Sequence, residues 1–341
     1  MASRITIYDK SGQYLTEVNA TFNREYKLNE FGSGTFTLST ADEKCRDDYL
    51  QFGNFVMVEH EKLPAWGGMI DTPQIWGNGQ VTSTVYSAEY ILTCLITDSV
   101  MPVSGTPGTI FSELVKRLFN RNKAGADYSI VGLGNVYGGG AAISRSYQWN
   151  GLYAEITRLC KDTGFDFDFE PQIDANGRLY FLANFYEKRG MLKPFTLYED
   201  LNIELSSTPL RVQGRIANLI LIFGPGANAW SRPRLSGNND ESWGKYGGRW
   251  LVQAAQGIDL TTEVNALLKE HAEPRKTFSL TAIDVGDTFY QLRVGDKFPV
   301  SFHSVGFSGS GFGTNETVRI LQMKYDEGQN RLALVADQVK E

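Results

Sequence analysis

The sequence predicts an α+β protein that is mainly β, built as two related β-barrel or β-sandwich modules flanking an α+β block. Three observations predict it. Composition is the first: 341 residues with 35 Gly, 16 Tyr and 20 Phe, a balance that favours strands joined by tight turns. The second is a meander pattern in Leu50–Ser87, LQFGNFVMVEHEKLPAWGGMIDTPQIWGNGQVTSTVYS. The third is an echo of that pattern in Arg293–Ala336.

Taken in order, Arg4–Tyr8 reads as a strand followed by a turn at Asp9-Lys10-Ser11-Gly12. Leu15–Phe22 and Tyr26–Leu28 read as further β pieces, and Gly34–Ser39 alternates as a half-buried strand does. Ala41–Tyr49 is charged and reads as one or two helical turns. Gly53-Asn54 is a turn pair opening the strand Phe55–Val58, and Gly67-Gly68 introduces Met69-Ile70. Gly77-Asn78-Gly79 is a hairpin turn, because its glycines tolerate positive φ. Val81–Ser87 completes the meander with period 2, and Ala88–Leu92 leads out.

Composition changes near Pro102. Thr106-Pro107-Gly108 begins a helix whose Ile110, Phe111, Leu114, Val115 and Leu118 share one face. Gly132–Gly140 reads as a flexible connector. A second helix starts at Asn150, buries Leu152, Ile156, Leu159 and Cys160, and stops at Gly164. Phe165, Phe167 and Phe169 then alternate with Asp166, Asp168 and Glu170, and a turn at Asp174–Gly177 leads to Leu179–Ala183. From Leu201 the chain is β again, with Leu219–Ile222 a buried strand. Gly224–Gly248 reads as a long loop, and Asp259–His271 as a third helix. The second meander runs from Val294-Gly295-Asp296 through Phe298–Phe302 and Thr317–Leu321 to a turn at Asp326–Gly328 and a strand Arg331–Val335. The expected division is 1–99, first β-barrel module; 100–200, α+β domain; and 201–341, second β-barrel module with an inserted loop and helix at about 224–275. The two meanders either repeat one module or share only the common Gly-polar-strand grammar of meanders.

The bulk numbers exclude some classes. A net charge of −6 disfavours a sequence-independent grip on nucleic acid phosphates. Cys45, Cys94 and Cys160 are odd in number and widely spaced, which argues against a disulfide framework and zinc ligation. Met1–Thr6 has no apolar signal core and no run of 18 apolar residues occurs, so synthesis in a cytoplasm without a membrane span is expected. His60, His271 and His303 fall in separate elements, and HExxH, GxSxG and Cys–His motifs are absent. The glycine-rich stretches Gly132–Gly140 and Gly306–Gly313 lack the Lys-Ser/Thr ending of a phosphate loop. No catalytic residue, cofactor or metal is therefore expected.

Two constellations admit more than one reading. Asp166, Asp168 and Glu170 read as the solvated face of a strand whose Phe face is buried, the alternative being cation binding or acid–base work. Trp230, Arg232, Arg234, Trp243, Tyr246, Arg249 and Trp250, with Lys245, cluster in the long loop. Such residues anchor protein interfaces, pack over a core, or stack on sugar rings.

The order of the pieces then matters more than any one site. Leu28–Leu38 (LNEFGSGTFTL), Gly53–Val58 (GNFVMV), Trp66–Ile70 (WGGMI), Val294-Gly295-Asp296, Val318-Arg319-Ile320, Tyr325-Asp326 and Leu332-Ala333-Leu334 together resemble the siphophage tail-tip hub family, related to the baseplate hub of contractile tails. That resemblance spans nearly the whole chain. It implies a structural virion protein at the tail tip, a homotrimer whose six barrels form a pseudo-sixfold ring through which DNA passes without specific binding. Its implied partners are the distal tail protein or tail tube, and the tip or fibre proteins. Members often carry C-terminal fibre or peptidoglycan-degrading domains; with this chain stopping at Glu341, such an activity is expected of another protein. The competing classes are a carbohydrate-binding β-module using the Trp-rich loop and a cell-wall hydrolase using acids such as Asp166.

Overall fold

The architecture follows from which stretches bury one face and which bury two. In the computed structural model the described residues are 3–97, 101–119, 130–213, 216–224, 232–255, 260–283, 287, 289–308 and 311–339. The first part contains β1 (Arg4–Tyr8), β2 (Tyr14–Val18), β3 (Asn23–Lys27), β4 (Ser33–Ser39), β5 (Phe55–Glu59), β6 (Trp66–Gly77) and β7 (Gln80–Ser87), then a 3-10 turn, Ala88–Cys94. The middle contains β8 (Met101–Gly105), α1 (Pro107–Phe119), β9 (Val131–Val136), β10 (Ile143–Tyr147), α2 (Leu152–Thr163), β11 (Asp166–Ile173) and β12 (Leu179–Tyr186). The last part contains β13 (Leu197–Tyr198), β14 (Ile203–Gln213), β15 (Leu219–Phe223), β16 (Arg234–Asn238), α3 (Asp240–Tyr246), β17 (Trp250–Ala254), α4 (Leu260–His271), β18 (Arg275–Ala282), β19 (Lys297–Ser308), β20 (Gly311–Asp326) and β21 (Arg331–Gln338).

Both meanders belong to one 13-stranded sheet, ordered β14-β18-β21-β20-β3-β4-β7-β6-β5-β1-β2, with β19 attached to β20 and β13 to β19. The expected barrels are not closed: among the described residues the path has open ends at β2 and β14. Within the sheet the order β3-β4-β7-β6-β5 is repeated as β14-β18-β21-β20-β19. The turns that open the meanders repeat as well. Gly53 and Gly295 have φ of 87° and 92°, conformations that suit a residue without Cβ. Gly53 N donates to Ile70 O and Ile70 N to Asn54 O, at 3.0 and 2.8 Å; Gly295 N donates to Ile320 O and Ile320 N to Asp296 O, both at 2.9 Å.

The two halves of the sheet meet where β3 pairs antiparallel with β20, Arg24 opposite Tyr325 and Tyr26 opposite Met323. The sixteen-residue β20 serves two neighbours on that side, β19 along its first half and β3 along its second. Leu321, where the pairing of β20 with β21 shifts register, marks the change.

Strand β5 explains why the first part cannot be a one-faced sheet. Val56 and Val58 enter a core with Ile5, Ile7, Phe22, Phe36 and Trp66. Phe55 and Met57 enter a second core with Ile110, Phe111, Leu114, Phe181 and Phe185 of the middle block. Helix α1 therefore packs as its spacing predicts, with Ile110, Phe111, Leu114 and Val115 fully buried, each contributing on the order of 1.5–3 kcal/mol. Gly164 ends α2 at φ 73°, its N–H bonded to Cys160 O.

Three sequence readings change. Gly132–Gly140 is a strand in its first part, β9, lying parallel to β12. Gly134 there is a packing requirement, since a Cβ on it would lie 2.2 Å from Asn184 Oδ1. Ala41–Tyr49 forms turns rather than helix. Within Gly224–Gly248 the chain forms β16 and α3. Helix α3 is capped by Asn239, whose side chain accepts from Ser242 N, a local signal that the surrounding glycines obscured. Asp259, the expected first residue of α4, lies outside the described residues.

Candidate interface and the junction between modules

The insert that carries the aromatic and basic cluster is a small layered unit. Strand β15 pairs antiparallel with β16 and parallel with β17. Side chains alternate, so Ile220, Ile222, Leu235 and Leu251 face α4 and pack with Val264, Leu267 and Leu268. The opposite face is set by register: Leu219, Leu221 and Phe223 of β15 lie beside Trp250, Val252 and Ala254 of β17 and Asn238, Ser236 and Arg234 of β16. It is left open, with Trp250 53 % and Val252 55 % exposed.

This geometry brings together some of the sequence-predicted residues. Trp243 approaches Gly248 beside Leu219, next to Arg249 and Trp250 at one end of the open face. Asn218 holds that end, accepting from Arg249 N at 2.8 Å and donating to Arg249 O at 3.0 Å. Arg234 lies at the other end, opposite Phe223, with exposed Arg232 two residues before it. Tyr246 is half-buried at the end of α3 with the Lys245 ammonium 5.1 Å from its ring centroid. Trp230 lies outside the described residues.

The acidic strand needs correction. Asp166 and Asp168 are not on a solvated face: they are 1 % and 6 % exposed, and Glu170 alone is exposed. Asp166 Oδ1 accepts from Asn29 Nδ2 at 3.1 Å, and Oδ2 from Arg189 N at 2.7 Å and from Arg319 Nη2. Arg319 also donates to Gly295 O and Arg189 O, both at 3.1 Å. Asp168 pairs with Arg189 at 2.6 Å and accepts from Asn184 Nδ2 at 3.0 Å. These contacts tie the first module (Asn29), the middle block (Asp166, Asp168, Arg189) and the last module (Arg319) into one buried junction. Removing either member of such a pair leaves a charge uncompensated. The arginines are far away in sequence, so the strand's own pattern showed only acids.

A cleft of about 270 Å³ opens beside the junction, lined among others by Glu25, Lys27, Glu89, Asp168, Arg189 and Arg293. Two of its charge pairs are matched, Glu25 with Lys27 at 3.2 Å and Asp168 with Arg189 at 2.6 Å. Burial raises the Glu89 carboxyl above the usual carboxylate range, where it accepts from Phe169 N at 3.0 Å and Ser87 Oγ at 2.5 Å. A separate surface group joins Glu199, Asp200 and His303. Glu199 Oε2 and Asp200 Oδ2 lie 3.3 Å from opposite ring nitrogens of His303, a histidine between two carboxylates rather than three ligands converging on one point. Among the described residues, no helix is long and apolar enough to cross a membrane.

With that architecture in view, the fold is the one seen in prophage tail proteins. The prophage tail protein gp18 from Listeria monocytogenes EGD-e is similar over 99 % of this chain and 95 % of its own, with a TM-score of 0.63 and 13 % identity. The 43 kDa tail protein of prophage MuSo2 from Shewanella oneidensis matches over 98 % of both chains at TM-score 0.60 and 12 % identity. A tail protein from Neisseria meningitidis MC58 matches over 99 % of this chain and 97 % of its own at 0.55 and 11 %. No protein-family model matches the sequence, and no curated protein does.

Proposed function

We propose that the chain is a structural, non-catalytic component of a phage tail: a tail-tip or baseplate hub protein that assembles as a homotrimeric ring between the tail tube and the tip and lets DNA pass. The observation that carries this reading is the repeated strand order, with its repeated Gly-turn hydrogen bonds, inside one sheet. A threefold ring meets a sixfold neighbour only if each subunit offers two similar surfaces, and two similar modules per chain supply them. The reading keeps the division 1–99, 100–200 and 201–341, with the two end modules as related barrels that the ring completes. It assigns the open face around Trp243, Arg249, Trp250 and Arg234 to contacts with other tail proteins, since Trp and Arg are the residue types enriched at interface hot spots.

Imaging the assembled tail tip tests it. Three copies in one ring are expected, with Trp250→Ser and Val252→Ser leaving the fold intact and weakening incorporation. Six copies, or a single copy at the apex, would contradict the two-modules-per-subunit argument.

A further inference from the structure

We propose that neighbouring copies of this chain join by an antiparallel strand seam between the outer half of β6 in one copy and β14 in the next, with Trp76 opposite Leu210. The proposal rests on the ring reading above and names the surface that makes the ring. The template is inside the chain, in the pairing of β3 with β20.

Register supplies the equivalences. Ile70 stands opposite Val85, and Ile320 opposite Ala336. Counting along β7 and β21 from those pairs, Val81 corresponds to Leu332, so their partners Trp76 and Tyr325 correspond. Val85 stands opposite Gly34 and Ala336 opposite Phe278, which makes Gly34 equivalent to Phe278. Their partners across the next strand, Arg24 and Leu210, are then equivalent too. Inside the chain Arg24 pairs with Tyr325. The same junction, built from the other member of each equivalent pair, sets Leu210 against Trp76. Those two belong to opposite modules of one chain and are not paired within it, so the seam is completed by a second copy.

The two edges are in the state this predicts. At the internal seam Arg24 and Tyr325 are both buried, the guanidinium 5.3 Å from the ring centroid. At the open edges Trp76 is 63 % exposed and Val212, two residues beyond Leu210, is 59 % exposed. Among the described residues the Leu210–Gln213 stretch of β14 pairs only with β18, and β6 beyond its irregularity pairs only with β7. Gly77 and Gln80 close a two-residue hairpin, which directs the amides of Trp76 away from β7. Pro73, which has no N–H to offer, falls within the irregularity between Asp71 and Ile75 and outside the pairing stretch. Ile75-Trp76-Gly77 carries none of the charges that natural proteins use to blunt an unpaired edge.

The test is disulfide trapping between full-length chains lacking the exposed Cys94 and the half-buried Cys45, each replaced by Ser. One chain carries Trp76→Cys and the other Leu210→Cys, since directly opposed residues of an antiparallel pair lie within disulfide reach. Oxidation of the concentrated mixture is expected to give a linked dimer that neither chain forms alone, and that Trp76→Cys mixed with Val252→Cys does not form. Trp76→Lys, on a side chain already in solvent, is expected to leave the melting temperature unchanged and abolish association seen by light scattering. Copies that associate without the 76–210 link, and tolerate Trp76→Lys, would overturn the seam while sparing the ring. Chains that stay monomeric at every concentration, alone and in assembled tails, would overturn both.

Discussion

At the turn opening the first meander, Asn54 Nδ2 donates to Asp48 O and Tyr49 O at 2.9 and 3.0 Å. At the equivalent turn of the second, Asp296 accepts from Met191 N and Arg293 N at 2.9 and 2.8 Å and pairs with Lys193 at 3.0 Å. The backbone bonds are the same, the buried position is the same, and the side-chain polarity is reversed. What differs is the neighbour. The first turn is approached by its own preceding loop, which presents carbonyls. The second is crossed by the segment leaving the middle block, which presents the Met191 amide and the Lys193 ammonium, and its own preceding loop adds the Arg293 amide. Repeated architecture fixes the glycine and the strand order, while the adjoining chain chooses between Asn and Asp.

Arg319→Met breaks the comparison most deeply. Met69 holds the corresponding position before Ile70, so the substitution makes the second turn resemble the first. It also strands the buried Asp166 carboxylate, and a loss of about 3–5 kcal/mol in urea unfolding is expected. A loss below about 1 kcal/mol would mean that the junction does not hold the modules. Exchanging the polar residues is the next test. Asp296→Asn turns a donor toward amides, and Asn54→Asp sets a carboxylate against two carbonyls, so each is expected to cost about 1–3 kcal/mol. If either is neutral, the neighbour does not dictate the side chain. Glycine substitution gives the most unequal pair of effects, and in Gly53→Ala the smallest. A Cβ on Gly295 meets Arg189 O at 2.7 Å, whereas one on Gly53 meets the Lys10 side chain at 3.1 Å. Gly295→Ala is expected to cost about 1–3 kcal/mol and Gly53→Ala about 1 kcal/mol. Equal melting shifts would show that strain at positive φ outweighs the crowding.

Much of this was legible because it is local. Period 2 located β4, β7 and β11, helical spacing located α1 and α2, and Gly-polar pairs located both turns. The junction was not legible, because an acid two residues from another acid looks solvated until Arg189 and Arg319 arrive from elsewhere in the chain. The insert was misread for the opposite reason. Nine of the 25 residues in Gly224–Gly248 are glycine or asparagine, yet Asn239 caps α3 and the buried β15 gives β16 a partner. Of the aromatic and basic residues singled out there, Trp243, Arg249 and Trp250 lie at one end of the open face and Arg234 at the other, an arrangement that depends on a parallel pairing of β15 with β17 that no short-range pattern announces.

The pairing of β3 with β20 has a consequence in time. Phe22 N bonds to Glu327 Oε2 at 2.9 Å across a separation of 305 residues, so the edge of the first module stays unpaired until the distant β20 has been made. At ~5–20 residues per second that wait is roughly 15–60 s. A strand edge exposed for so long invites wrong partners, and long-range pairing is slow to close even after synthesis. Proteolysis of ribosome-bound chains arrested before Gly311 is expected to cut near β3, and protection of β3 in such chains would refute the delay. For the proposed ring the same delay orders assembly: a nascent chain has no finished second module to offer a neighbour, so building starts from chains in which β20 has already paired with β3.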